Sequence, residues 1–193
     1  MKLLLSVSLL FLMLCGCTPA PVKNYAIISG LIKNNQDSVL RISGFDVQKN
    51  IKINKDGSFR DSLKITNPNR YKMYLNNKRG YLFLKNGYDL NLEGDAASFF
   101  LGFSYTGIGS ETNNLLVAHF NYSKTIGQVR DYLDLNEVDF VAKLEKAKKE
   151  LDSINALYKN VDTIFLNTTT RQTTNFFSVM EEMYEEKYSI EFK

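Results

Sequence analysis

The chain has 193 residues, in which 24 Lys and Arg against 21 Asp and Glu leave a formal net charge of +3. This length allows one domain with a substantial core, alone or with an appendage. The single histidine excludes a multi-histidine metal site. Because no run of like charge exceeds three residues, nucleic-acid binding is not indicated either.

Residues 1–16 have the layout of a secretory signal peptide. Lys2 precedes a largely apolar run of 12 residues (3–14), which is shorter than the roughly 20 residues that span a bilayer. The run ends in Leu14-Cys15-Gly16-Cys17, a pattern typical of a lipobox, whose last cysteine carries the lipid. We therefore predict a signal peptide over 1–16, lipidation of Cys17 and a tether over 17–23. The alternative is ordinary signal-peptidase cleavage, which would leave both cysteines as plain thiols.

Lipidation of Cys17 would attach the rest of the chain to a membrane. Thr18 follows the lipidated position, where an aspartate is absent, and this resembles outer-membrane lipoproteins of Gram-negative bacteria. We expect an outer-membrane anchor facing the periplasm, with exposure on the cell surface left open. No cysteine follows Cys17, so the body would have no disulfide, thiolate metal site or cysteine nucleophile.

Residues 24–106 show the period-two alternation of half-buried strands, punctuated by turn residues. Seven or eight short strands at this spacing predict an antiparallel β-sandwich or open barrel. The predicted strands cover residues 25–33, 38–43, 51–53, 58–65, 71–76, 81–85, 88–92 and 99–105.

Two dipeptides predict hairpin turns, because Gly readily adopts the positive φ that such turns require. Asp56-Gly57 would join the strands on either side of it, and Asn86-Gly87 would do so more tightly. A two-residue type I′ loop at Asn86-Gly87 would make one apolar face. Its facing residues would be Lys85 with Tyr88, Phe83 with Leu90, and Tyr81 with Leu92.

Residues 107–193 change to helical periodicity and predict about three helices, so the fold class is α+β. Ser110 would cap the first, which runs to about residue 124, and Asn136 would cap a longer second helix. The threonines at 168–170, 173 and 174 are poor helix formers, so the third helix is expected to begin near Asn175. A heptad seam follows the second helix, and it packs either within the chain or in a homodimer. The seam residues are Phe140, Leu144, Ala147, Leu151, Ile154, Tyr158 and Val161.

The two halves differ in charge. Residues 17–95 contain 13 Lys and Arg against 7 Asp and Glu, whereas residues 96–193 contain 10 against 14. These balances of +6 and −4 fit two regions with different solvated surfaces. The alternative is a basic face that contacts anionic lipid headgroups or an acidic partner.

The remaining residues that could form a catalytic, metal or cofactor site are weak candidates. His119 stands alone, and a helix-surface or boundary role suits it better than catalysis. Asp131, Asp134 and Glu137 would hold a cation only weakly, and capping explains them better. Gly107-x-Gly109 lacks the third glycine and the βαβ setting of a dinucleotide loop. We therefore predict no catalytic residue, no cofactor and no metal.

Five short sequence segments occur in an order that resembles a known protein family. They are Ile28-Ser29-Gly30, residues 53–59, residues 82–90, residues 105–109 and Glu111-Thr112-Asn113-Asn114. Over roughly residues 24–160 this order resembles the β-rich domain of unknown function that precedes the thioredoxin-like domain in TlpA-type envelope lipoproteins. That resemblance implies a β domain, then a helical segment, then a thioredoxin fold with Cys-x-x-Cys. This chain ends where the thioredoxin fold would begin and has no Cys-x-x-Cys, so no redox residue carries over.

The sequence thus predicts a lipid-anchored envelope module without a catalytic site, which binds a protein or small molecule through its β domain. An alternative is a truncated or split remnant of a TlpA-like thiol-disulfide oxidoreductase. A third is a structural homodimer built on the 140–161 seam.

Overall fold

The computed structural model describes residues 23–189. The predicted signal peptide and the lipidation of Cys17 lie outside the described residues. Within residues 23–189, no helix combines the length and apolar character needed to cross a bilayer.

Eight strands are followed by four helices in the described part of the chain, which confirms the α+β fold class. The strands are β1 (Ala26–Lys33), β2 (Val39–Ser43), β3 (Gln48–Lys52), β4 (Ser58–Leu63), β5 (Asn69–Leu75), β6 (Lys78–Leu84), β7 (Asp89–Asp95) and β8 (Ser104–Ile108). The helices are α1 (Ser110–Ser123), α2 (Arg130–Leu133), α3 (Glu137–Ala156) and α4 (Thr163–Tyr188). The strands form two four-stranded sheets, in the orders β4-β1-β7-β8 and β3-β2-β5-β6, and no closed barrel.

One strand pair departs from the antiparallel arrangement that the sequence predicts. β1 and β7 are parallel, with Gly30 beside Leu92. A Cβ added to Gly30 would lie 2.1 Å from the carbonyl oxygen of Leu92, so glycine permits this close approach. β1 thus has an antiparallel neighbour, β4, on one side and a parallel neighbour, β7, on the other.

The predicted hairpin at Asn86-Gly87 is wrong, although the turn itself forms. Gly87 has a φ of 89°, and the Tyr88 N–H donates to the Lys85 carbonyl oxygen at 3.1 Å. However, β6 and β7 belong to different sheets, so Phe83 lies opposite Arg70 and Leu90 lies beside Ile28.

The reason for this crossing lies in β1 and the residue before it. The Gly87 N–H donates to the Tyr25 carbonyl oxygen at 3.0 Å, and the Ile27 N–H donates to the Tyr88 carbonyl oxygen at 2.9 Å. These bonds direct β7 onto β1 instead of back along β6. A turn dipeptide determines the local backbone, but competing strands decide which partner the chain meets.

The predicted hairpin at Asp56-Gly57 is wrong for the same reason, although its turn forms. Gly57 has the expected positive φ of 85°, but β3 pairs with β2 and β4 pairs with β1 in the other sheet. The chain therefore crosses between sheets here as well, and a Lys49–Asp61 ion pair of 3.0 Å joins β3 to β4.

The predicted strand over residues 99–105 is also wrong. Residues 99–102 form turns, and the strand begins at Ser104. Phe99, Phe100 and Phe103 are nevertheless buried, and the rings of Phe99 and Phe103 meet edge to face at 5.0 Å. The apolar spacing in this segment therefore reflects aromatic packing in a turn and not strand alternation.

The helix boundaries were partly predicted. Asn136 caps α3 as expected, since its side chain accepts from the Asp139 N–H at 3.1 Å. Gly109, and not Ser110, is the N-cap of α1, and α2 was not expected. α4 begins at Thr163, twelve residues before Asn175, because a local cap and a tertiary contact override the poor propensity of its threonines. Asp162 caps its first turn through the Ile164 N–H at 2.9 Å, and the Phe165 side chain is buried against the sheet.

Within the part of the chain that the structure describes, the core consists of two clusters. The larger one lies between the two sheets and extends to α1 and Phe165. The smaller one joins α2, α3 and α4, where the Phe140 and Tyr184 rings stack at 3.9 Å. All seven seam residues therefore pack within the chain, although Tyr158 and Val161 lie beyond the end of α3 at Ala156.

Candidate ligand-binding site

Two adjacent asparagines of α1 attach this helix to the edges of both sheets. β6 and β8 are edge strands. The Asn113 side chain accepts from the Phe83 N–H at 2.8 Å and donates to the Phe83 carbonyl oxygen at 3.0 Å. Asn114 makes the same two bonds to Tyr105 of β8, at 2.8 and 2.9 Å. The two amides thus satisfy edge backbone groups as a further strand would, and they fix the position of α1.

A cavity of about 300 Å³ lies between α1, α3, α4 and the outward face of β5. Aromatic and aliphatic side chains form most of its wall, in which Phe165 and Leu116 are buried. The apolar lining consists of Leu116, Phe120, Ile126, Ala147, Leu151, Phe165, Phe176 and Phe177. A cavity of this size and character is at the lower end of small-molecule binding sites.

Arg70 is the positively charged group in the wall of this cavity. It points outward from β5 toward α4, where its Nη2 donates to Oε1 of Gln172 at 2.7 Å. Burial lowers the pKa of the Arg70 guanidinium, but a guanidinium stays protonated in proteins. Within residues 23–189, Arg70 forms no ion pair with a carboxylate.

His119 forms part of the same wall and is neutral at pH 7. Its Nε2 lies 2.7 Å from Oδ1 of Asn155, and because that oxygen only accepts, Nε2 carries the proton. Burial lowers the pKa of His119, and the positive charge of Arg70 lowers it further. The lining residues include no Asp or Glu, so the wall as a whole has one positive charge.

Polar groups of α4 face the cavity beside Arg70. Thr169, Gln172 and Thr173 line it, and their spacing of three and four residues places them on one helix face. Within the described residues, the hydroxyls of Thr169 and Thr173 have no hydrogen-bond partner. A more polar pocket of about 300 Å³ adjoins the cavity and shares Thr169, Thr173 and three other residues with it.

The outward face of β3-β2-β5-β6 carries five of the 13 Lys and Arg of residues 17–95. Arg41, Lys52, Lys72 and Arg79 are exposed on it and form no ion pair within the described residues. Arg70 lies on this same face, at the edge that the helices cover. The cavity therefore lies beside a group of exposed cations on this face.

Asp131 and Asp134, two of the other predicted candidates, have partners within the fold. The Asp131 side chain accepts from the Gln128 N–H at 2.7 Å, which is a turn-capping role. Asp134 forms an ion pair with Lys187 at 2.9 Å. No group of three or more His, Cys, Asp or Glu suited to a metal occurs among residues 23–189. His119 lies in the cavity wall, half-buried, so the boundary position was predicted and its cavity was not.

Sequence reasoning missed Arg70, Thr169, Gln172 and Thr173. The spacing of the last three would have indicated one polar helix face, but only if the helix had been predicted to begin before Thr168. Nothing near Arg70 in the sequence distinguishes it from the other cations of the β half.

No protein-family model matches this chain, and no curated protein matches it. Solved structures with some similarity include a DUF3823 family protein from Bacteroides ovatus, 15% identical, with a TM-score of 0.27 over 35% of this chain and 42% of that one. Another is a DUF3823 family protein from Parabacteroides merdae, 15% identical, with a TM-score of 0.26 over 37% of this chain and 46% of that one. The chain thus matches less than half the length of each of these domains of unknown function. A likeness at this level establishes neither a shared fold nor a shared activity, and the thioredoxin association stays a prediction.

Proposed function

We propose that this chain is a membrane-tethered, non-catalytic module of the cell envelope that binds a small, largely apolar molecule in the cavity between α1, α3, α4 and β5. The observation that carries the proposal is the cavity of about 300 Å³, whose wall is mostly aromatic and aliphatic. Binding sites for small molecules have this composition, with a few polar groups that orient the ligand. The sequence placed binding on the β domain, whereas the cavity lies where the helices cover that domain.

The polar groups of the cavity suit binding better than bond chemistry. The Arg70 guanidinium is a permanent cation and so is a poor proton donor or acceptor. The Nε2–H of His119 is engaged by Asn155, and burial lowers the pKa of the ring, so the neutral imidazole offers a ligand one acceptor nitrogen, Nδ1. These groups can hold and orient a ligand without reacting with it.

The site is tested with N-phenyl-1-naphthylamine, a neutral apolar dye whose fluorescence rises in apolar surroundings. We expect saturable binding at one site per chain. Thr173→Trp should abolish it, because the larger side chain fills the cavity wall. The matched control is Thr106→Trp on the exposed outward face of β8, which should leave binding unchanged. Equal binding by both variants, or binding without saturation, would show that the cavity is not the site.

The membrane tether is a separate part of the proposal and rests on Leu14-Cys15-Gly16-Cys17. Cys17→Ala should leave the precursor uncleaved and unlabelled by a fatty-acid probe, whereas Cys15→Ala should not. Unchanged labelling of Cys17→Ala would contradict the anchor and leave the cavity untouched.

A further inference from the structure

We infer that the ligand of this cavity is an amphipathic monoanion, a carboxylate with a short apolar tail, whose carboxylate is bound by Arg70. This inference rests on the proposed function and names the class of molecule that the same cavity takes.

The first observation is that the half-buried guanidinium has no carboxylate partner. Arg70 gives one N–H to Gln172, but a guanidinium has five donors in a planar fork that matches a carboxylate. Among residues 23–189, three of the four other half-buried cations have carboxylate partners within 3.2 Å, and the fourth, Lys143, lies over the Tyr132 ring instead. The pairs are Lys49 with Asp61, Lys85 with Asp162, and Lys148 with Glu145 and Glu181.

The second observation is the charge balance of the wall. Arg70 contributes one positive charge, His119 is neutral, and the lining residues include no Asp or Glu. Burying an uncompensated charge is unfavourable, so a ligand with a single negative charge would neutralise the site. A dianionic phosphate would leave a negative charge in an apolar cavity, and a cationic ligand would be repelled.

The third observation is the set of donors beside Arg70. The hydroxyls of Thr169 and Thr173 have no hydrogen-bond partner within the described residues, and the same is true of the amide nitrogen of Gln172, which uses only Oε1. All three groups line the cavity from one face of α4. Their donors can bind the carboxylate oxygens that face away from Arg70. A ligand role also accounts for threonines at positions where they disfavour a helix.

The remaining wall determines the other end of the ligand. Phe120, Phe165, Phe176 and Phe177 also line the cavity, and an apolar tail would gain free energy from burial against them. Because the cavity measures only about 300 Å³, the tail must be short. The exposed cations Lys72 and Arg79 lie on the same sheet face, and their field would attract an anion toward the mouth.

The test compares three ligands with the same eight-carbon tail, namely octanoate, octanol and octylammonium, as competitors of N-phenyl-1-naphthylamine. We expect octanoate to displace the dye from the wild-type chain at a concentration about tenfold or more below that of octanol, since hydrogen bonds to charged groups are worth such a factor. Octylammonium should be the weakest competitor. In Arg70→Gln the preference of octanoate over octanol should fall to about one.

The controls separate Arg70 from general charge and from misfolding. Arg70→Lys keeps the charge without the planar fork and should retain part of the preference. Arg41→Gln removes an exposed cation from the same sheet face and should behave as the wild type. Dye binding by each variant shows that its cavity is intact, and it does not depend on charge because the dye is neutral.

The outcomes are distinct. An octanoate preference unchanged in Arg70→Gln, or absent from the wild type, overturns the inference and leaves the proposed function standing. No dye binding by the wild type overturns the proposed function itself. If Arg70→Gln does not fold, Arg70→Lys decides: a reduced octanoate preference supports binding by the planar fork of Arg70, and a preference equal to that of the wild type overturns the inference.

Discussion

Replacing Asn113 by Leu should strongly destabilise the fold. The side chain of Asn113 is fully buried, and its amide bonds both the N–H and the carbonyl oxygen of Phe83 at 2.8 and 3.0 Å. Leu has a similar volume but no polar atom, so both backbone groups would lose their partner away from water. Each orphaned group costs about 1–3 kcal/mol, which gives about 2–6 kcal/mol in total. That is a large part of the roughly 5–15 kcal/mol that holds a typical domain folded.

The assay is urea unfolding followed by far-ultraviolet circular dichroism, together with hydrogen exchange of the Phe83 amide. Asn114→Leu is the matched control, because Asn114 makes the same pair of bonds to Tyr105 but is only half-buried. Water can replace its bonds, so the control should lose clearly less free energy of unfolding. A loss below about 1 kcal/mol in Asn113→Leu, or no larger than in Asn114→Leu, would refute the edge-strand role of the amide.

Three further predictions concern single groups. Gly87→Val should lower the urea midpoint more than Gly87→Asn, because a φ of 89° excludes β-branched residues while asparagine tolerates it; equal midpoints would mean that the turn relaxes. Tyr105→Phe should leave the free energy of unfolding unchanged or raise it, since the buried Tyr105 hydroxyl has no hydrogen-bond partner within the described residues; a clear loss would reveal a bound water. The Tyr71 hydroxyl and the backbone N–H groups of Asn67 and Thr66 lower the pKa of Asp46. The ionised Asp46 carboxylate therefore stabilises the fold above its ordinary pKa of about 4, and this stabilisation is lost as the pH falls through the lower pKa that Asp46 has in the folded state. Asp46→Asn should therefore flatten the acid limb of stability against pH, and an unchanged limb would contradict this assignment.

The candidate site was mostly beyond the reach of the sequence. Arg70 is one of many cations in the β half, and only the docking of α4 beside β5 distinguishes it. The threonines at 169 and 173 have a low helix propensity, so no helix was predicted there and the face that they share with Gln172 was not predicted either. The cap at Asp162 is a local signal that sequence reasoning missed, whereas the burial of Phe165 against Phe83, with ring centroids 5.6 Å apart, provides tertiary free energy that local propensity does not contain.

The sequence by itself determined the fold class, the approximate positions of seven of the eight strands and the positive φ at Gly57 and Gly87. These properties depend on which side of a strand or turn is buried, and that information lies within a few neighbouring residues. Only the tertiary structure decided that β6 and β7 enter different sheets after the turn at Asn86-Gly87 and that β1 pairs in parallel with β7. It also decided that the helices form a cavity with the outward face of β5. Strand pairing and helix docking depend on competition among distant segments for the same backbone groups and the same apolar surface, and a local pattern does not record that competition.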